Sequence, residues 1–251
     1  MREVEDRGEE SWFQEWFGEE YLALYPHRDG DEARDGVELL LRKVAIAPED
    51  RVLDLACGAG RHLRALVEQG IHALGLDLSE VLLGRTHLAL PGAPVVRGDM
   101  RHLPYGDDTL SVVASFFTSF GYFQEEDDDA RVVEEVHRVL QPGGYFLLDF
   151  LHAGPVRSGL PFHDEDHAEG MHVRQDRRLV DGGRVVEKQI TIQRKGEPRL
   201  EFQERVRLYE PEELAGMLES AGLPPQSTFG AYDGSALKAD SPRCILLGRK
   251  Q

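Results

Sequence analysis

At 251 residues, 41% of them hydrophobic, the chain is long enough for one α/β domain with an insertion and too short for two full domains. Its 29 Lys and Arg against 46 Asp and Glu give a formal charge of −17, a field that repels phosphate backbones and argues against nucleic acid as a partner. The two cysteines, Cys57 and Cys244, exclude a disulfide framework and lack metal-finger spacing, so both are expected as reduced thiols in a cytoplasmic protein.

Residues 1–10 are charged and expected to fray; they do not read as a signal peptide, and no later run approaches a membrane span. From Ser11, a suitable N-cap, Trp12, Phe13, Trp16, Phe17, Tyr21, Leu22 and Tyr25 recur at three- and four-residue intervals. That spacing predicts one amphipathic helix, ended by Pro26, whose aromatic stripe docks on the core. A second helix is predicted from Asp31 to Ala45, with Ala33, Val37, Leu40, Leu41 and Val44 on one face.

The short apolar run Val52, Leu53, Leu55 then leads into Ala56-Cys57-Gly58-Ala59-Gly60, and Leu63, Leu66 and Val67 follow at helical spacing up to Gly70. A glycine turn at the C-terminal edge of a parallel strand lets a ligand approach the bare backbone, which suggests a nucleotide-like cofactor. Leu63 stands where a dinucleotide fingerprint needs its third glycine, and Arg61-His62 follow Gly60 where a P-loop needs Lys and Ser or Thr. Asp77 ends the next apolar run, nineteen positions after Gly58. An acid that grips ribose hydroxyls is expected about 20 residues downstream of such a turn. A third strand, Pro94 to Arg97, ends in Gly98-Asp99-Met100.

Ser79 caps a helix through Leu88, and Pro91-Gly92 ends it. A fourth strand is predicted from Leu110 to Phe117, at the start of an aromatic stretch that reaches Phe123. The run Glu125 to Asp129 opens a helix; these carboxylates are expected to complement the helix dipole and face water rather than bind metal. Val132, Val133, Val136, Val139 and Leu140 point inward, Pro142-Gly143-Gly144 ends the helix, and Tyr145 to Phe150 is the fifth strand. The periodicity then changes. Val186, Ile190 and Ile192 alternate with Glu187, Gln189 and Gln193, and Leu200, Phe202, Val206 and Leu208 with Glu201, Gln203, Arg205 and Arg207. Alternation predicts antiparallel strands with one dry face, and Asp181-Gly182-Gly183 and Lys195-Gly196 supply turns. Residues near 171–209 are therefore expected as a three-stranded insertion entered through a loop over 152–170. His163-Asp164-Glu165-Asp166-His167, with His172 nearby, is expected as a mobile acidic loop and not as a metal site. Pro211 opens a last helix that stops at Gly222, and the final strands fall near 226–232 and 243–249.

Four elements in this order resemble the class I S-adenosylmethionine-dependent methyltransferases. They are Asp54-x-Ala56-Cys57-Gly58-x-Gly60, Gly75-Leu76-Asp77-Leu78-Ser79, Gly98-Asp99-Met100, and Arg138-Val139-Leu140-Gln141-Pro142-Gly143-Gly144, spanning roughly 50–151. The resemblance implies an α/β fold with a doubly wound, seven-stranded Rossmann-like sheet whose last strand is antiparallel, N-terminal helices and a small antiparallel β insertion. The expected division is a helical lid segment over 1–47, a cofactor-binding core over 48–151, an acceptor-side insertion over 152–209, and a closing helix and strands over 210–251.

The cofactor so implied is S-adenosyl-L-methionine, with S-adenosyl-L-homocysteine as product. Asp77 is expected to accept hydrogen bonds from both ribose hydroxyls, and the Gly58 and Gly60 backbone to lie against the methionine and ribose. Asp99 would meet the adenine amino group and Met100 its ring edge, Asp54 would order the turn, and Ala56, Cys57, Leu78 and Phe116 complete the set. Tyr21, Tyr25, His27 and Arg28 are the expected lid contacts. The reaction is an in-line displacement at a sulfonium, for which alignment and water exclusion are the main tasks. The resemblance and the acidic charge lead to the expectation of a small-molecule acceptor, and the lack of an Asn-Pro-Pro-Tyr-like motif at the rim argues against a nucleobase; a protein or RNA acceptor, or a non-catalytic binding protein, are the alternatives. His152, Asp149, Tyr122 and His27, each near a strand end or the lid segment, are the candidates for a general base, unranked by the sequence, and His152 and Tyr122 are the two named as catalytic. Arg205 and Arg207 are read either as holders of an acidic substrate or as a solvated face. Neither a metal nor a membrane is expected to take part.

Overall fold

The structure, a computed structural model, describes residues 12–25, 30–168 and 170–251. The predicted cap Ser11, the predicted stop Pro26, and His27 and Arg28 lie outside the described residues. Five apolar runs form parallel neighbours: β1 (Val52–Leu55), β2 (Ala73–Asp77), β3 (Val95–Arg97), β4 (Leu110–Ser115) and β5 (Leu140–Leu151). β11 (Arg243–Arg249) runs antiparallel to β5 on one side and to β10 (Pro225–Phe229) on the other, so the sheet order is β10-β11-β5-β4-β1-β2-β3. β1 and β4 are buried along their whole length, as strands covered on both faces must be.

One cover is α3 (Gly30–Lys43) with α4 (Arg61–Glu68), packing Val37, Leu40, Leu63 and Leu66 onto Val52, Val112 and Ala114. The other is α6 (Glu126–Val139) with α8 (Pro211–Ser220), packing Val132, Val136, Leu214 and Leu218 onto Leu53, Val113 and Phe146. α5 (Glu80–Ala89) lies along β2 and β3. No helix among the described residues is long and apolar enough to cross a membrane.

The insertion differs from the three strands expected. It begins with α7 (Ala153–Gly159) and continues as a four-stranded antiparallel sheet, β6 (His163–Ala168), β7 (Met171–Val180), β8 (Val185–Arg194) and β9 (Leu200–Arg207). The His-Asp-Glu-Asp-His stretch is therefore an edge strand and not a loop. β7 needs a partner on that side, and His163 Nδ1 sits 2.8 Å from Asp176 Oδ1 across the pair. Charge along an edge strand also discourages pairing with other chains. α7 has a sequence poor in helix formers, and its Pro155 falls in the first turn, where a missing N–H is no loss.

The single N-terminal helix expected from the aromatic spacing is two: α1 (Trp12–Trp16) and α2 (Glu19–Leu24), broken where Gly18 turns extended at φ −135°. Their aromatic stripe covers the dry face of the second sheet and not the parallel core. Trp16 is fully buried there against Met171, Val173, Ile190 and Ile192. That face also holds an ion pair, Lys188 with Glu204, in register across β8 and β9. Trp16 Nε1 donates to Glu204 at 2.6 Å and Lys188 Nζ to the Tyr25 hydroxyl at 3.0 Å, so the pair is tied to both helices.

β2 passes close under the glycine turn. A Cβ on Gly75 would lie 2.8 Å from Cys57 Sγ and 2.9 Å from Val95 Cγ1. Gly75→Ala is expected to lose about 1–3 kcal/mol by overpacking, measured by urea denaturation.

Candidate active site

The site begins where β1 ends. Ala56 takes a left-handed backbone at φ 59°, and Gly58 and Gly60 follow at 55° and 79°. A non-glycine residue held there costs on the order of 1–3 kcal/mol and persists only where its surroundings fix it. A Cβ on Gly60 would come within 2.7 Å of Thr86 Cγ2, so α5 can pack on the turn only if that position is bare. At Gly58 the nearest atom to such a Cβ is Leu82 Cδ1 at 3.8 Å, and the bare side faces a cavity.

Asp77, at the end of β2, holds this turn and the next one together. Its Oδ2 accepts from Gly58 N at 2.8 Å and its Oδ1 from Ser79 N at 2.8 Å. Burial pushes its carboxyl up and these amides oppose the rise. A carboxylate offers about four lone-pair sites, more than these amides fill, so it keeps acceptor capacity for hydroxyl donors. Ser79 caps α5 through Leu82 N at 3.2 Å and donates its own hydroxyl to Phe17 O at 2.5 Å, which fastens α1 to the same corner.

The cavity enclosed by these elements has a volume of about 540 Å³. Its floor is the glycine turn and Asp77, one end is Gly98 to Met100, and the rim is Phe116, Phe117, Phe120, Tyr122 and Phe123. Phe13, Phe17, Tyr21 and Tyr25 of the N-terminal segment close the remaining side. Phe17 stacks on Tyr122 with centroids 5.6 Å apart, and Phe13 meets Phe123 edge-on at 5.8 Å. β4 stops two residues short of its predicted end because Phe117 and Thr118 are both left-handed, at φ 57° and 64°. Phe117 lines the cavity, and two adjacent residues in this conformation persist only where their surroundings hold them.

Of the residues expected at the cofactor, Ala56, Cys57, Gly58, Asp77, Leu78, Asp99, Met100 and Phe116 line the cavity, as does Tyr122. Gly60 lies behind the turn, as the N-cap of α4. Asp54 is buried in β1 with no partner for Oδ2, and desolvation pushes its pKa to about 8. Asp99 gives both oxygens to Arg101, which also pairs with Asp128 at 2.7 Å and lies over the Phe123 ring at 4.5 Å. Burial raises the Asp99 carboxyl, and the Arg101 bonds outweigh it and hold it below the usual range.

The structure puts His152 elsewhere. It caps α7, is 6% exposed, and has its Nδ1 2.9 Å from Ser241 O, outside the cavity wall. Asp149 is likewise committed, to Arg243 at 2.5 Å. Arg205 and Arg207 pair with Asp181 and Glu126 of their own chain, at 2.8 and 3.0 Å. Asp129 breaks the water-facing expectation for its acidic run: it is buried, accepting from Gly121 N at 3.1 Å and the Tyr209 hydroxyl at 2.7 Å. Among the described residues no three His, Cys, Asp or Glu group as a metal site.

His62 was not singled out from sequence. Its ring stacks on Phe116 at 4.4 Å in the cavity wall, Nε2 has no partner, and burial with the nearby Arg61 and Arg243 drives its pKa well down. The only sequence hint is its place directly after the glycine turn and Arg61.

Asp54 gives a test of this electrostatic picture. An acid whose folded pKa, about 8, lies above its ordinary 3.8 binds more protons folded than unfolded. Its contribution to stability therefore falls as pH rises across that interval. Urea denaturation at pH 5 and pH 8 should show Asp54→Asn gaining on wild type at the higher pH.

A family model described as "Methyltransferase domain" matches residues 52–144, the stretch from β1 into β5. A Streptomyces venezuelae dTDP-3-amino-3,4,6-trideoxy-alpha-D-glucopyranose N,N-dimethyltransferase is 32% identical over 130 residues, 51% of this chain and 54% of that protein. A Saccharopolyspora spinosa dTDP-4-amino-2,3,4,6-tetradeoxy-D-glucose N,N-dimethyltransferase is 26% identical over 226 residues, 86% of this chain and 89% of that protein. The chain spans about half the length of the first curated relatives it matches, 53% and 54%. The fold is shared with an S-adenosylmethionine-dependent methyltransferase from Clostridium acetobutylicum, with a TM-score of 0.78, 18% identity, and 91% and 95% of the two chains covered. The glycine turn, the bridging Asp77 and the sheet order agree with these likenesses, and residues 52–144 carry a methyltransferase domain.

Proposed function

We propose that this chain transfers the methyl group of S-adenosylmethionine to a small molecule, and that the accepting atom is an amine nitrogen. The observation that carries the reading is the share of the cavity wall that the chain's own N-terminal aromatics supply. Phe13, Phe17, Tyr21 and Tyr25 of the chain's own α1–α2 segment wall the cavity, so an acceptor enters as a small molecule and does not lie across a groove as a polymer. Two relatives bear the names of N,N-dimethyltransferases of dTDP-linked amino sugars, which supports the same class.

In this reading Asp77 takes both ribose hydroxyls on the lone pairs that Gly58 and Ser79 leave, and the bare face of Gly58 lies against the donor. Bound donor supplies a methyl group already activated by the sulfonium charge. The aromatic rim excludes water from that charge and presents ring faces to it. A neutral amine attacks through its lone pair, the S–C bond breaks to release S-adenosylhomocysteine, and the ammonium formed loses its proton afterwards, whereas a hydroxyl needs a base beforehand. That suits a cavity from which His152 and Asp149 are both withdrawn. Among the described residues, His62 Nε2, kept neutral by burial, is an unpartnered nitrogen in the wall.

Calorimetric titration with S-adenosylmethionine and S-adenosylhomocysteine tests the donor site. Asp77→Ala is expected to bind roughly 100-fold more weakly than wild type, the loss of two hydrogen bonds to a charged group at about 1.5 kcal/mol each. Methyl transfer is then assayed on free and dTDP-linked amino sugars beside their hydroxyl analogues. Product on the amines is the expected result; product only on the hydroxyl analogues, or only on added tRNA or protein, overturns the acceptor assignment.

A further inference from the structure

One carboxylate outside the cavity controls the strained part of its rim. Asp149, fully buried at the end of β5, receives three donors: Arg243 Nε at 2.5 Å on Oδ1, and the Tyr232 hydroxyl at 2.5 Å and Phe117 N at 2.7 Å on Oδ2. Its backbone carbonyl takes Thr118 N at 3.0 Å. The amides of both left-handed residues therefore end on this one aspartate. The Phe117 ring, which lines the cavity, is held as well: the Arg61 guanidinium lies 4.1 Å from its centroid and that of Arg243 5.2 Å. Tyr232 reaches the group from the connection between β10 and β11, packed where Gly36 of α3 leaves room; a Cβ there would meet its ring at 3.3 Å.

Left to itself Phe117 has no reason to stay left-handed, since the extended strand it leaves is the relaxed state of an aromatic residue. A buried carboxylate with three donors over-determines the strained state, and losing the carboxylate charge frees it. We infer that Asp149, supported by Arg243 and Tyr232, is a positioning residue of the site: it holds Phe117 as a fixed wall of the cavity and thereby sets the rate of methyl transfer rather than donor affinity. The inference rests on the methyl-donor reading of the cavity. It also assigns the C-terminal β10–β11 hairpin, which lines no part of the cavity itself, a share in the reaction.

Two readouts test it separately. Amide exchange on ligand-free Asp149→Asn is expected to show Phe117 and Thr118 losing protection, with the rest of β4 and β5 unchanged. On the amino sugar that wild type methylates, kcat of Asp149→Asn is expected to fall roughly 100-fold, with the S-adenosylhomocysteine Kd within about threefold of wild type. Tyr232→Phe, which removes one of the three donors and keeps the ring, is expected to fall about three- to tenfold in kcat. Protection of Phe117 and Thr118 unchanged in Asp149→Asn overturns the inference. So does a fall in kcat matched by an equal loss of donor affinity, which is the mark of a structural role. A wild type that binds no S-adenosylhomocysteine defeats the donor reading instead, and the exchange experiment still decides whether Asp149 holds the rim.

Discussion

The site depends on one carboxylate that joins two strand ends. Asp77 takes the Gly58 amide on one oxygen and the Ser79 amide on the other, so the turn after β1 and the turn after β2 are held at a fixed separation. Each of these turns leads into a helix, α4 and α5, and the packing of Thr86 against Gly60 depends on that separation. Desolvating a carboxylate is unfavourable, and two backbone amides are what make it tolerable in the ligand-free protein. The lone pairs left over point the chemistry toward a hydroxylated ligand.

The second constraint is mechanical. α1 and α2 close the cavity, but their anchorage lies elsewhere, on the dry face of the β6–β9 sheet, where Trp16 is buried and the Lys188–Glu204 pair is fixed to Trp16 and Tyr25. An ion pair that is largely covered adds little net stability, yet removing either partner leaves a partly desolvated charge. The insertion is thus a platform for the segment that walls the cavity, and the Ser79 hydroxyl on Phe17 O connects that segment back to the donor side. Second sheet, N-terminal helices and glycine turn are thus linked to one another around the cavity.

Much of this was legible in the sequence because it is local. Strand, glycine turn and helix follow one another within the window 52–68, and the distance to Asp77 is set by one β-α-β unit. What could not be read is tertiary. Asp149 and His152 stand at a strand end as a base should, but their partners Arg243 and Ser241 lie about 90 positions away in sequence, with separations of 94 and 89. Asp129 looks like its four acidic neighbours until Tyr209 and Gly121 are brought against it. The acidic stretch from His163 has no hydrophobic period at all; it is a strand only because β7 offers an edge. Gly18 is a local signal of the opposite kind, a break inside an aromatic period that otherwise reads as continuous helix.

The most direct test of the central claim is a crystal structure of the protein with S-adenosylhomocysteine bound. The account predicts the ligand under Phe17 and Tyr21, with both ribose hydroxyls within hydrogen-bond distance of Asp77 and the Gly58 and Ser79 amides still on that carboxylate. Ligand bound away from Asp77, or a carboxylate turned from the ribose, would contradict it.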